Sequence, residues 1–256
     1  MIHKYFLNGY YIVIDTNSGA VHIVDELAYR LLDFFTEKLK GECPDEIIST
    51  LVNEGFDKRD IIDTYAELKA LFDVQEPERT CVCILADKEE IGSDGVTGMQ
   101  SAAFDCFMED LCAAQGVELR RCYEKSFCIS ADVTNAYDPL YPDVSEKRSD
   151  AKINYGVGIC KFTGARGKSG TSDASAEVVA YLRRLFAENN VIWQLAELGK
   201  VDQGGGGTIA KFMANRNIDT IDAGVPVLSM HAPFEVVAKL DCYMTYKACL
   251  AAYSDK

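Results

Sequence analysis

The sequence predicts an α/β protein that carries a small α+β module at its front. After Pro77, apolar strand-like runs alternate with amphipathic helical stretches, which implies a layered fold with a largely parallel or mixed sheet. The first seventy or so residues differ, since two strand patterns precede three short helical patterns. At 256 residues and 48% hydrophobic content, the chain is long and apolar enough for one large or two small domains. We therefore expect domains at residues 1–72 and 73–256.

The front module begins with a hairpin. Residues 10–14 and 20–24 are strand-like, and Asn17-Ser18-Gly19 between them is a turn pattern. Asp25 is placed to cap a first helix, a second starts at Asp45, and a third starts at Asp57 or Lys58. The first and third have apolar residues at helical spacing: Leu27, Leu31, Leu32 and Phe35, then Ile61, Ile62, Tyr65, Leu68 and Leu71. This order of elements resembles a winged-helix module.

The second region alternates between the two kinds of element. Its predicted strands are 80–86, 126–133, 153–162, 191–198 and 225–230, and its predicted helices are 98–115, 174–188, 208–215 and 233–253. The helix from Ala174 has the clearest pattern, with Asp173 as the expected cap. Its apolar stripe consists of Val178, Val179, Leu182, Leu185 and Phe186.

Charge and cysteine usage exclude several classes of partner and site. The formal charge of −14 argues against nucleic acid and anionic membranes as partners. No apolar run reaches membrane-spanning length, and the N-terminus lacks a signal-peptide core, so a cytoplasmic location is expected. The ten cysteines include no Cys-x-x-Cys pair and lie mostly in apolar segments, which predicts reduced, buried thiols.

The most informative stretch is residues 87–93, which follows the apolar run 81–86. It places Glu89 beside Glu90, and two adjacent carboxylates after a buried strand are costly unless a cation meets them. A metal site uses such a pair, because one carboxylate ligates and its neighbour takes a proton from the attacking water. The alternative is a solvated acidic loop.

Two further candidate ligands follow predicted strands. Asp132 comes directly after residues 127–129, and His231 comes after residues 225–228. Functional groups of open α/β sheets gather where strands end, so Glu90, Asp132 and His231 form a plausible zinc site. Each also has a structural interpretation: the histidine as a satisfied structural residue, and Asp132 as a turn-former.

The glycine run 204–207 does not form a phosphate loop, because no Lys-Ser or Lys-Thr follows it. Gly167-Lys168-Ser169 ends like such a loop, but the motif requires glycine where Phe162 stands. Close backbone approach to a substrate or a neighbouring strand is the better account of four glycines.

Five stretches in order resemble one enzyme family from about Phe72 to the end. They are residues 84–93, 129–133, 167–177, 197–208 and 222–231. They are similar to the C-terminal half of the aspartyl aminopeptidase and vacuolar aminopeptidase I family of zinc exopeptidases. The resemblance implies a phosphorylase-like α/β sandwich, peptide substrates, two zinc ions (Zn²⁺) and a large homo-oligomer.

The same resemblance assigns roles to individual residues. Glu89 corresponds to the general base, Glu90 and His231 to ligands of one zinc ion, and Asp132 to a ligand of the other. It also implies an acidic N-terminal residue in the substrate. Basic candidates for a specificity pocket, which are also candidates for solvated surface, are Lys161, Arg166 and Lys168.

The sequence departs from the family pattern in its metal ligands. The family's first zinc-binding histidine lies in an N-terminal half that has no counterpart here, and the position of its metal-bridging aspartate is Arg59. Asp60, one residue on, is the possible bridging ligand. The resemblance therefore implies a weakened zinc site and a weakly active or inactive chain.

The front segment has a resemblance of its own. Residues 1–10 and 17–25 are similar to the N-terminal peptide-recognition module of radical SAM maturases that crosslink six-cysteine peptides, over residues 1–68. That family's Cys-x-x-x-Cys-x-x-Cys cluster motif is absent. Besides an aminopeptidase, two other functions therefore stay open: a leader-peptide binding module on a catalytically dead scaffold, and a non-functional gene fusion.

Overall fold

The chain divides into two units. The computed structural model describes residues 2–7, 10–15, 20–35, 41–74, 77–166, 169–200 and 202–255. Residues 1–86 and 246–256 form the first unit, and residues 87–245 form the second. The last helix contributes residues to both.

In its described residues the first unit contains an antiparallel sheet, three helices and the end of the last helix. Its elements are β1 (Ile2–Leu7), β2 (Tyr10–Asp15), β3 (Ala20–Val24), α1 (Glu26–Leu31), α2 (Asp45–Asn53) and α3 (Lys58–Asp73). The strands are ordered β1-β2-β3, so β2 is central and pairs with both neighbours. The predicted hairpin and the three predicted helices are confirmed, and β1 is an additional strand. The predicted turn at residues 17–19 lies outside the described residues.

Capping and amphipathic spacing explain the helices of the first unit. The Asp25 carboxylate accepts the backbone N–H of Ala28 at 2.7 Å, which satisfies one of the donors that a helix N-terminus leaves free. Asp57 accepts the N–H of Arg59 at 2.8 Å in the same way at the start of α3. The apolar stripes then meet in one core: Val13, Val24, Leu27, Ala28, Leu31, Leu32, Ile47, Ile48, Leu51, Ile61, Tyr65 and Leu68.

The second unit has a mixed sheet at its centre. Its strands are β4 (Phe127–Ser130), β5 (Thr134–Asn135), β6 (Val157–Cys160), β7 (Phe162–Ala165), β8 (Ser169–Asp173), β9 (Trp193–Leu195), β10 (Asp219–Gly224), β11 (Pro226–Leu228) and β12 (Val236–Val237). Its helices are α4 (Ala103–Ala114), α5 (Leu119–Glu124), α6 (Ala176–Glu188), α7 (Ala210–Ala214) and the start of α8 (Lys239–Ser254).

The central sheet has the order β4-β10-β6-β9. β10 runs parallel to β4 and antiparallel to β6, and β6 runs parallel to β9. A second sheet has the order β12-β11-β5, and β7 and β8 form a hairpin. The expected α/β fold with a mixed sheet is confirmed.

The structure corrects two sequence predictions and adds a central strand. Residues 80–86 form no strand, because this apolar run packs its Leu85 against the core of the first unit without a ladder partner among the described residues. The central strand β10 was not predicted. The cap of α6 is Ser175, not Asp173: the Ser175 hydroxyl accepts the N–H of Val178 at 3.2 Å, and the helix starts at Ala176.

The glycine run packs against the β7–β8 hairpin. A Cβ atom on Gly205, whose φ is +91°, would lie 2.4 Å from the carbonyl oxygen of Gly164. One on Gly207 would lie 2.7 Å from the carbonyl oxygen of Gly170. Real Cβ atoms do not come so close, so these glycines permit the close backbone approach to a neighbouring strand that the sequence predicted.

All ten cysteines lie in the described part of the chain and are free thiols. Cys83, Cys112, Cys160 and Cys249 are buried as predicted, whereas Cys106 is exposed. Among the described residues, no helix combines the length and the apolar character needed to cross a membrane.

Candidate metal centre

The two adjacent glutamates lie in a tight turn at the start of the second unit. Residues 89–91 form a single turn of 3-10 helix, flanked by Lys88 at φ 63° and Gly92 at φ 81°. The N–H of Ser93 donates to the carbonyl of Lys88 at 2.8 Å and closes the loop. Within this turn Glu89 is partly buried, whereas the Glu90 side chain is 72% exposed. The turn therefore gives neighbouring carboxylates different environments.

His231 lies in a second left-handed turn, directly after β11. Its φ is 64°, and its backbone N–H donates to the side chain of Glu235. The imidazole Nδ1 lies 3.9 Å from Glu90 Oε2, and the His231 side chain is 67% exposed. The structure thus brings together the two side chains that the resemblance assigns to one zinc ion.

Asp132 lies where the chain passes from one sheet to the other. β4 pairs with β10 as far as Ser130. Two residues after Asp132, the N–H of Thr134 donates at 2.9 Å to the carbonyl of Val225, the residue just before β11. A Cβ atom on Gly224 would lie 1.3 Å from the Asp132 carbonyl oxygen, so the Asp132 backbone rests directly on that glycine. Pairing on both sides therefore holds the Asp132 segment in place.

Negative charge accumulates around Glu89. Burial, together with the nearby carboxylates of Asp132, Glu90 and Asp222, raises the pKa of Glu89 to about 7. A carboxyl group that titrates near neutral pH can hold or release a proton under working conditions, which is what a general base needs. Mutual repulsion among four acidic groups also favours a cation beside them.

Sequence analysis missed Asp222. It lies on the central strand β10, and its residue is only 5% exposed. Burial, with a smaller contribution from the Asp132 carboxylate, raises its pKa to about 7. An aspartate between Ile221 and Ala223, in a segment bounded by apolar residues, was the available signal in the sequence.

These residues fit zinc in donor type and in charge. Zinc in proteins takes imidazole nitrogen and carboxylate oxygen, and Glu90, Asp132 and His231 supply both. Within the described ranges, however, no three His, Cys, Asp or Glu side chains form a group that could hold a metal ion. The Glu90–His231 pair offers two ligands, fewer than the three or four that protein zinc sites use.

The other predicted site residues are more dispersed. Lys161 lies just before β7 and forms an ion pair with Asp173, and both side chains are exposed. Lys168 lies outside the described residues. Asp60 is an exposed residue in the first turn of α3, in the first unit, with Oδ1 3.4 Å from an Arg59 guanidinium nitrogen. The roles of these three residues stay predictions.

Comparison with known proteins identifies the family. The profile of the Aminopeptidase I zinc metalloprotease (M18) family matches residues 49–253. The chain belongs to this family. The family identity predicted for most of the chain, a zinc-dependent peptide-bond hydrolase family, is thereby confirmed.

Relatives and solved structures agree with this assignment. The chain is 46% identical over 221 residues to the probable M18 family aminopeptidase 1 of Clostridium acetobutylicum, covering 83% of this chain and 48% of that protein. It is 40% identical over 254 residues to the protein of the same name from Borrelia garinii, covering 90% and 56%. The crystal structure of an M18 family aminopeptidase from Thermotoga maritima superposes with a TM-score of 0.71 at 36% identity, covering 86% of this chain and 58% of that one.

The chain spans about half the length of the curated relatives it matches. The family match begins at residue 49, inside the segment whose sequence resembles a maturase module. The comparisons give no support to that resemblance.

Proposed function

We propose that this chain carries part of a zinc aminopeptidase active site and removes N-terminal residues from peptides. The observation that carries the proposal is the contact between Glu90 and His231 beside the partly buried Glu89. Family membership also supports it, because the match to the M18 family profile spans residues 49–253 and so includes both residues. Peptides are accordingly the proposed substrates.

Each acidic residue has a distinct proposed role. Glu90 and His231 would hold one zinc ion, and Asp132 would hold the second. When bound, zinc supplies Lewis-acid polarisation of the scissile carbonyl. Glu89 takes the proton of the attacking water and delivers it to the leaving amine, a task suited to its raised pKa.

The chain by itself is expected to hydrolyse peptides slowly. The described residues bring together only two ligands, and two protein ligands hold zinc less firmly than three or four. Asp60 is the proposed additional bridging ligand.

Finer assignments rest on the resemblance and are proposals of the same kind. Lys161 and Lys168 would select an acidic N-terminal residue, and assembly would be homo-oligomeric. The second region would form part of a phosphorylase-like sandwich, with a winged-helix-like module in front.

Zinc binding tests the proposal directly. We expect elemental analysis of the purified full-length chain to find about one or two zinc ions per chain. The double variant Glu90→Ala, His231→Ala should lose this zinc, and hydrolysis of aminoacyl-anilides should fall with it. Glu177→Ala, which removes an exposed carboxylate at the start of α6, is the matched control and should keep both.

Two results would contradict the proposal. One is a wild-type chain without zinc after dialysis against zinc-containing buffer. The other is equal zinc content in the double variant and in Glu177→Ala.

A further inference from the structure

Asp222 is a buried acidic residue in the middle of the central sheet. On one side it pairs in register with Ser130 of β4, and on the other with Cys160 of β6. An apolar side chain would satisfy such a position at lower cost, since burying a carboxyl group removes it from water. Its presence there therefore calls for a role beyond packing.

The geometry of β10 directs this side chain toward the Asp132 segment. Residues two apart on a strand point to the same face, so the Asp222 side chain and the Cα–H of Gly224 share one face. The Asp132 carbonyl lies on that face, against Gly224. Ser130, the register partner of Asp222, is two residues before Asp132. Asp222 thus lies beside the end of β4, two residues before the candidate ligand Asp132.

The polar groups around Asp222 are incompletely paired. The hydroxyls of Ser130 and Thr208 neighbour its carboxyl group and offset part of the rise in its pKa. In the described part of the chain, however, Asp222 Oδ1 and Ser130 Oγ have no well-formed hydrogen bond. Buried polar groups are normally hydrogen-bonded. A small shift of the Asp132 segment that let the Ser130 hydroxyl donate to Asp222 Oδ1 would therefore satisfy both atoms.

We propose that Asp222 is a positioning residue for Asp132, acting through Ser130 and the end of β4. This inference rests on the proposed zinc aminopeptidase function. Asp222 touches neither the metal nor the substrate in this role. In the metal-bound state the carboxyl group of Asp222 is hydrogen-bonded to Ser130. This bond fixes the end of β4 and so holds the Asp132 carboxylate toward the cation. Groups that orient metal ligands from behind commonly change metal affinity by about 10–100-fold when they are removed.

Zinc affinity of the full-length chain, measured by competition with a chromophoric chelator, tests this role. Asp222→Asn keeps the size of the side chain, and we expect zinc to bind about 10–100-fold more weakly. Ser130→Ala should weaken binding as well. The double variant Ser130→Ala, Asp222→Asn should be no weaker than Asp222→Asn, because both changes break one connection. Circular dichroism confirms that each variant is folded.

A second buried aspartate provides the matched control. Asp241 is fully buried, and its carboxylate accepts the N–H groups of Asn154 at 2.6 Å and Gly156 at 2.7 Å. Asp241→Asn should lower the melting temperature and leave zinc affinity unchanged. A merely structural role for Asp222 would give the same result as this control.

The outcomes separate this inference from the proposed function. Suppose that the wild type binds zinc and that the double variant Glu90→Ala, His231→Ala does not. If Asp222→Asn and Ser130→Ala then bind zinc as tightly as the wild type, the positioning role is rejected while the proposed function stands. Additive losses in the double variant overturn the connection through Ser130. If the wild type binds no zinc, the proposed function fails and this inference fails with it. Should Asp222→Asn not fold, Ser130→Ala alone decides, and unchanged affinity in that variant rejects the role.

Discussion

The candidate site has an exposed half and a buried half, and the two are built differently. Glu90 and His231 project from two turns with left-handed backbone and are mostly exposed. Ser130 and Asp222 face each other within the central sheet, at 1% and 5% exposure. Water can solvate exposed candidate ligands when no metal is bound. A buried carboxyl group, by contrast, lowers the stability of the fold whether or not a metal is bound. In the proposed site we therefore expect the exposed half to serve metal binding and the buried half to connect that binding to the fold.

The largest loss of stability is expected at Gly224, where the Asp132 backbone packs directly against β10. Gly224→Ala would place a Cβ atom 1.3 Å from the Asp132 carbonyl oxygen, and backbone cannot move aside as a flexible side chain can. We expect a loss of more than about 3 kcal/mol in the free energy of unfolding, measured by urea denaturation. Gly206→Ala is the control, since its Cβ would meet only Leu198 Cδ2 at 3.5 Å. Equal stability of the two variants would contradict this account of the site.

A carboxyl group in the first unit shows how strongly burial can shift the pKa of an acidic residue. Burial is the largest cause that raises the pKa of Asp63 on α3 to about 7; Arg59 opposes the rise, and Asp60 and Asp57 contribute to it. In the unfolded chain an aspartate titrates near about 3.9, so the contribution of Asp63 to wild-type stability should fall as pH rises between about 4 and about 7. Asp63→Asn cannot titrate.

We therefore expect the stability of Asp63→Asn relative to wild type to rise by about 1–2 kcal/mol between about pH 4 and about pH 8. Chemical denaturation at both pH values measures this difference. A difference that stays constant, or that shrinks toward high pH, would show that the pKa of Asp63 is not raised in the folded protein.

The smallest effect on stability is expected in the exposed half. Glu90→Ala and His231→Ala should each change the free energy of unfolding by no more than about 0.5 kcal/mol, because both side chains are mostly exposed. By contrast, Leu182→Ala on α6 removes a fully buried side chain and should cost about 2–5 kcal/mol. Thermal unfolding compares the three. Destabilisation by Glu90→Ala as large as that by Leu182→Ala would remove the distinction between the two halves.

Local patterns accounted for most helices. Asp25 caps α1 as expected, α3 follows Asp57, and the predicted stripe of α6 is buried apart from the partly exposed Val179. Helix spacing and caps involve residues three or four apart, so the sequence contains this information locally. The cap of α6 was predicted wrongly because both Asp173 and Ser175, two residues apart, are residue types that cap helices.

Strands were harder to predict because their partners are distant in sequence. β10 contains Asp219, Asp222 and Gly224, residue types that are rare in strands, yet it is central to its sheet. Its place comes from pairing with β4 and β6, which lie far away along the chain. Conversely, residues 80–86 have strand composition and form no strand, because no partner strand lies beside them in the described structure.

By itself, the sequence determined the family, the helical segments and the candidate ligands Glu90, Asp132 and His231, since motif order and local periodicity are properties of the chain. Only the tertiary structure decided that Glu90 and His231 meet at 3.9 Å, and that Asp222 lies beneath the Asp132 segment. The physical reason is that burial and strand pairing join residues about ninety to a hundred and forty positions apart, and no local pattern encodes such contacts.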